Sequence, residues 1–430
     1  MLIRSRPVSF GPADGTMALS VDMSVAKENE GRRGERKVQC FFETNIGNII
    51  TFPNAKTKSN KQIADLLVWL NWKAILVEVK TRVSSKVTLD QWVRERIADA
   101  DHQITKSYGT CVGGEHIYVN NDYYHVRFDD KEVEFYSGLI VLNYEGTSSS
   151  VLPSVAVPDI YRRPLPIHAI SYDDLAQLSE EIDSFPDLGY YLQDRFAYIR
   201  EYDIPVGVEK EVIGRYKLFN NRFPDYYVNF EASDFWREYQ STMKDAIQRR
   251  NAHNEHSTLL DELGLAFGDH RKLHGTLPLG LYFAWELAAM SRRERAIVGE
   301  RMDGARLRFE RGGKRRYFSF QNASTGNWLV FLFSNAGQEE VSHEIGQLTR
   351  LKLIKEAQFY DSEVAAYGFG FQVSRTHPIS LLGLRRALVM SADAVNPYTD
   401  ADLEAAVALW GDEHIGRPIP ILEFPPAHQA

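Results

Sequence analysis

Lys61-Gln-Ile-Ala-Asp-Leu-Leu-Val-Trp-Leu-Asn-Trp-Lys-Ala-Ile-Leu-Val-Glu-Val-Lys-Thr-Arg82 is the stretch that decides the fold. Two apolar runs, Ile63–Leu70 and Ala74–Val79, flank the break at Asn71-Trp72. Each run has strand length and is rich in Ile, Val, Leu or Trp, which predicts two adjacent strands joined by a tight turn. Runs this continuous read as strands buried on both faces. Asp65, Glu78 and Lys80 interrupt them. A lone charge in a buried strand costs several kcal/mol unless it is paired or binds a metal.

The spacing gives these charges a common location. With Asn71 and Trp72 as the turn, residue 70 faces 73, 69 faces 74, and 65 faces 78. Asp65 and Glu78 then oppose each other with Cβ atoms about 4.5–5.5 Å apart. Lys80, two residues beyond Glu78, shares its face. Two acids this close repel, and a divalent cation relieves that repulsion. Oxygen donors with positions left for substrate suit Mg²⁺, with Mn²⁺ as a substitute. Lys80 beside them would hold a phosphate or stabilise developing negative charge. The competing reading is a structural pair of strands tied by a salt bridge. Glu-X-Lys alone is a weak pattern, since Glu35-Arg36-Lys37 also fits it. The Ile-Leu-Val that precedes Glu78 and the Val on both of its sides do not read as a solvated face.

An acid, a variable gap, then an acid, any residue and Lys resembles the PD-(D/E)XK nuclease superfamily, the restriction-endonuclease-like fold. Here these are Asp65, twelve residues, then Glu78-Val79-Lys80, with Ala64 where the family usually has Pro. The resemblance covers residues 30 to 145 and fades by about 200. It implies an α/β chain with an αβββαβ core in the N-terminal part, Asp65, Glu78 and the Val79 carbonyl as metal ligands, and Lys80 as the catalytic amine. It also implies a first-helix acid at the metal, for which Glu35 is the candidate and Glu43 the second. A surface Glu in a charged turn is the alternative for Glu35. Some family members carry Gln-X-X-X-Tyr on the later helix. Gln103 fits, and Tyr108 lies one residue too far and reads as packing.

Around this stretch, 31–44 reads as a helix with Val38, Phe41 and Phe42 inward. Ile46–Phe52 reads as a first strand. Lys56, Lys58 and Lys61 cluster in the polar loop before Asp65 and suit phosphate contacts, or a solvated loop. Gln62 is placed to point toward substrate. Leu89–Tyr108 reads as a helix buried through Trp92, Val93, Ile97 and Ile104. Strands are expected within Tyr118–Tyr136 and over Ser137–Tyr144. Gly146–Pro158 reads as a loop, and 170–178 as a helix opened by Ser171. Arg195 falls on a helix surface.

The 430 residues predict an arm over 1–28, a nuclease-like domain over 29–185 and an α+β domain over 186–430. The second half is expected to hold one long helix, Asp234–Arg250. His253, His256, His270 and His274 match no metal-site spacing and read as surface residues. Arg306, Arg308, Arg315 and Tyr317 are expected on one face of a hairpin turning at Gly312-Gly313, a face suited to a phosphate backbone or stacked base. A solvated face is the alternative. A net charge of −8 excludes a wholly basic coat but leaves room for a local patch. Two cysteines make no disulfide scaffold, so a cytoplasmic setting is expected, and no apolar run is long enough to span a membrane.

The expected activity is Mg²⁺-dependent cleavage of DNA rather than RNA, endonucleolytic, with a role in bacterial defence by family analogy. Double-strand cutting calls for a homodimer. The alternative is a nuclease-fold module that binds nucleic acid or protein without catalysis.

Overall fold

The computed structural model describes residues 30–47, 50–70, 73–82, 87–113, 116–121, 125–128, 134–144, 165–202, 204, 206, 208–258, 260–261, 263, 279–311, 315–356, 365–372, 380–388 and 399–410. The expected arm, the 146–158 loop, the Asn71-Trp72 and Gly312-Gly313 turns, His270 and His274 lie outside them.

The chain has a mixed α/β fold. Helix α1 (Glu30–Phe42) is followed by β1 (Thr51–Pro53), β2 (Lys56–Thr57), β3 (Leu66–Leu70), β4 (Lys73–Thr81) and helix α2 (Leu89–Val112). Then come β5 (Ile117–Asn120), β6 (His125–Phe128), β7 (Glu134–Asn143) and β8 (Ile167–Ser171). The main sheet has the order β1-β3-β4-β7-β8. Its first three strands are antiparallel, and β7 and β8 run parallel to β4. Parallel pairing of β4 with β7 needs a crossover, and α2 lies within that connection. A second sheet, β2-β5-β6, stands apart from the first.

The β3–β4 register is the one the two-residue turn predicts: Leu70 pairs with Lys73, Trp69 with Ala74, and Leu66 with Val77. Ala74 to Val79 are all buried. Successive strand residues point to opposite faces, and the end of β4 meets a helix on each. Lys80 reaches Gln103 on α2, while Thr81 lies against Gly34 on α1. This double cover explains why the run is continuously apolar.

Several boundaries differ from expectation. Ile63 and Ala64 are buried but precede β3, and Ile63 N–H donates to the Ala55 carbonyl at 2.8 Å. Glu43–Gly47 extends α1 as a widened helical turn, so among the described residues only Thr51 and Phe52 of the expected Ile46–Phe52 strand are extended, in β1. The helix expected from Ile170 is preceded by β8. Ser171 ends that strand and caps α3 (Tyr172–Leu178) by accepting from Asp174 N–H at 3.0 Å.

Helices α4 (Phe185–Ile199) and α5 (Glu209–Leu218) follow. Arg195 on α4 is not a surface residue: it is 1% exposed. It grips Glu209 with two hydrogen bonds of 2.8 and 2.9 Å and lies 3.1 Å from His168 Nδ1. Burial and the guanidinium both hold the His168 pKa well below its usual value. The helix expected over 234–250 is two, α6 (Phe235–Thr242) and α7 (Lys244–Asn254), with a break at Met243.

After α8 (Leu279–Ala288), the expected 305–321 hairpin is replaced by helix α9 (Arg292–Glu310) leading to β9 (Arg316–Gln321). Val298, Met302 and Ala305 are buried at helical spacing and anchor α9, whereas Leu307, on the supposed apolar strand face, is 43% exposed. Arg306 and Arg308 are therefore on a helix and share no strand face with Tyr317. The actual hairpin joins β9 to β10 (Trp328–Ser334), which runs parallel to β11 (Ala365–Gln372) across α10 (Gln338–Glu356). Strand β12 (Ser380–Leu388) completes a sheet of order β12-β11-β10-β9, and α11 (Asp400–Trp410) follows.

Arg315 pairs with Glu344 on α10, and the Tyr317 ring packs on Trp410 at 5.2 Å. Phe331 stacks between Phe318 and Phe369, 4.9 Å from each. One buried apolar cluster runs from Val38 to Phe371, and Trp69 meets Trp285 within it at 5.2 Å.

A Cβ at Gly34 would lie 1.8 Å from Thr81 Oγ1, so only glycine lets α1 approach β4 this closely. Gly34→Ala is expected to lower stability by about 1–3 kcal/mol. On α9, Gly304 has no atom within 4 Å of such a Cβ. There Gly304→Ala is expected to add about 0.5–1 kcal/mol. Denaturant unfolding checks both; equal shifts would contradict the close contact.

Candidate active site

Extending the β3–β4 register by one residue places Asp65 opposite Glu78. The two carboxyls lie close enough to perturb each other's protonation. Asp65 sits in the bend before β3. Its Oδ2 accepts from Val79 N–H at 2.8 Å and its Oδ1 from Gln62 Nε2 at 3.0 Å. An extended residue carries its N–H and C=O on the same side. The Val79 carbonyl therefore faces the side on which Asp65 lies.

Glu78 is only 6% exposed. Burial, then the charge of Asp65, pushes its pKa up to about 8, against the opposing pull of Lys80. Burial also raises Asp65, countered by the Val79 N–H and Lys80. The pair thus retains a proton near neutrality, because two buried carboxylates in contact resist joint ionisation.

Lys80 lies on the same face as Glu78, 3.4 Å from its Oε2. From α2, Gln103 Oε1 accepts from the Lys80 amine, and Asp99 Oδ2 lies 3.6 Å from it. Asp99 and Gln103 are four residues apart and so share a face of the helix. That spacing was the available signal for Asp99, which the sequence reading did not single out. Glu35 on α1 senses both Asp65 and Lys80: burial and then Asp65 raise its pKa, while Arg32 and Lys80 lower it. Its approach depends on Gly34, whose role has no signature in the local pattern.

Glu35, Gln62, Asp65, Glu78, Val79, Lys80 and Gln103 are thus brought to one end of the β3–β4 pair. Lys56 and Lys58 line a neighbouring groove. Lys61 instead donates to Thr110 Oγ1 on α2 at 3.2 Å. Arg306, Arg308, Arg315 and Tyr317 lie in the second half of the chain, on α9 and around β9. His253 and His256 approach Glu300 and Asp303 at 3.2 and 3.0 Å.

Among the described residues, no three His, Cys, Asp or Glu side chains form a group able to hold one ion. The oxygen atoms there that could face one ion are those of two carboxylates and the Val79 carbonyl. Such a set fits Mg²⁺, which keeps several waters and takes one or two carboxylates together with substrate phosphates. Two crowded carboxylates mark negative charge that a cation could balance. No family model, curated protein or solved structure matches the chain.

A carboxyl with a raised folded-state pKa keeps a proton that the unfolded chain has already lost. Between the ordinary Glu value of 4.5 and about 8, Glu78 makes the ion-free protein less stable as pH rises. Mg²⁺ is expected to raise the melting temperature more at about pH 8 than at about pH 5, and Glu78→Gln to remove most of that difference. Thermal melts with EDTA or Mg²⁺ check this; an equal Mg²⁺ effect at both pH values would contradict it.

Proposed function

We propose that the chain is a Mg²⁺-dependent nuclease that hydrolyses phosphodiester bonds of DNA. The observation that carries this reading is the convergence of Asp65, Glu78 and Lys80 at one end of two strands. The amine there is held from a helix by Gln103 and Asp99. The order α1, three antiparallel strands, α2 and a parallel strand supports it. That order resembles the αβββαβ core of PD-(D/E)XK enzymes, with the β2-β5-β6 sheet added.

Asp65, Glu78 and the Val79 carbonyl would hold the cation, which supplies Lewis acidity at the phosphoryl oxygen and lowers the pKa of the attacking water. Asp65 is oriented by Gln62 and by the Val79 N–H. Glu78 would have to give up its proton to serve as a ligand. Lys80 donates hydrogen bonds to the phosphate oxygens and offsets the negative charge that grows on them. Gln103 and Asp99 fix the ammonium in place before substrate arrives, so little reorganisation is left for the reaction.

Asp65→Ala and Lys80→Ala are each expected to reduce Mg²⁺-dependent cleavage by about a hundredfold or more, with folding intact. The assay compares duplex DNA, single-stranded DNA and RNA. Cleavage that survives both changes would refute the site. Binding of DNA without cleavage by the unaltered protein would favour a non-catalytic nuclease-fold module.

A further inference from the structure

The loop between β1 and β3 borders a groove of about 570 Å³. Among the described residues that line it none is acidic, although the chain carries a net charge of −8. Its floor follows from strand register. Lys56 on β2 pairs with Tyr118 on β5, so the two side chains rise from the same face. Asn120, two residues further along β5, continues that face, and Lys58, in the turn after β2, also lines the groove. The alternate residues Ile117 and Val119 are buried beneath, and Thr57, itself buried, also lines the groove. The small sheet thus presents two ammonium groups, an aromatic ring and an amide together.

The remaining walls are fixed to the carboxylate site. Asn54 and Asn60 line the groove in left-handed conformations, with φ of 52° and 64°. The backbone N–H of Asn54 donates to the Asp65 carbonyl at 3.0 Å. Lys56 forms a β-bridge with Gln62, and Gln62 in turn hydrogen-bonds the Asp65 carboxylate. The groove and the acid pair are therefore joined by one short run of backbone.

We propose that this groove seats one unpaired nucleotide of the substrate strand beside the scissile phosphate. Its base would stack on Tyr118, its edge would meet the Asn54, Asn60 and Asn120 amides, and its phosphates would meet Lys56 and Lys58. The identity of the ligand rests on the nuclease reading. The groove has the size of a small-ligand site, whereas a paired base keeps its flat face inside the stack. Stacking on a side chain selects bases that are already unpaired. The substrate class is then a single strand, an overhang or a flap rather than blunt duplex.

The test measures binding to the full chain in EDTA, by fluorescence anisotropy. The probes are a labelled oligodeoxythymidylate of about ten residues and a blunt duplex of about equal length. The single strand is expected to bind tighter by about tenfold. Tyr118→Ala should weaken single-strand binding by about tenfold or more, and Tyr118→Phe should restore it. Joint Lys56→Ala and Lys58→Ala should reduce the slope of log affinity against log salt by about 1.4, from roughly 0.7 per lost phosphate contact. Unchanged single-strand affinity in Tyr118→Ala, or an unchanged salt slope in the lysine variant, overturns the proposal even if the protein cleaves DNA. The expected binding pattern in a protein that cleaves nothing supports the groove and refutes only the nuclease reading.

Discussion

Two carboxylates opposed across adjacent strands are the constraint around which the N-terminal half is arranged. Their meeting is set by the strand register: a one-residue slip of β3 against β4 would turn every side chain of one strand to the other face. The register is strongly specified because the flanking residues of both strands are buried, Leu66 to Leu70 on one and Ala74 to Val79 on the other. The apolar strands thus hold in place an arrangement of charge that is unfavourable by itself. Lys80 and the hydrogen bonds from Val79 and Gln62 offset part of that charge, and the retained proton offsets more.

The helices complete the arrangement from two sides. Helix α2 contributes Asp99 and Gln103 to the amine, and α1 reaches the opposite face of β4 where Gly34 removes a side chain. Beyond the acids, the small sheet with its lysine-lined groove lies on the same backbone that positions Asp65. An anionic strand running from that groove to the acid pair would meet cations first and carboxylates only at the point of reaction. Such an order is physically reasonable for a chain of net negative charge, because steering depends on local rather than total charge.

Much of this was legible in the sequence, for identifiable reasons. Turn length and the two-residue strand period fix the opposition of Asp65 and Glu78, and Glu-X-Lys puts Lys80 on the same face. The α2 stripe of Trp92, Val93, Ile97 and Ile104 is buried as its spacing requires. What was misread involved competition between local and tertiary preferences. Arg306-Leu307-Arg308-Phe309 alternates like a strand, yet its upstream neighbours Val298, Met302 and Ala305 bury a helical stripe that carries the helix onward. Arg195 reads as surface because its partner Glu209 is distant in sequence and the pair is only visible once folded. Gly34 acts through a contact that no local period encodes.

We propose that Asp65 and Glu78 hold a divalent cation in place of a proton. Isothermal titration of Mn²⁺ at about pH 7, repeated in buffers of different ionisation enthalpy, measures ion and proton together. The account predicts about one ion per chain, release of most of one proton, and loss of both in Asp65→Asn and Glu78→Gln. Ion binding that releases no proton, or that persists in both variants, would contradict it.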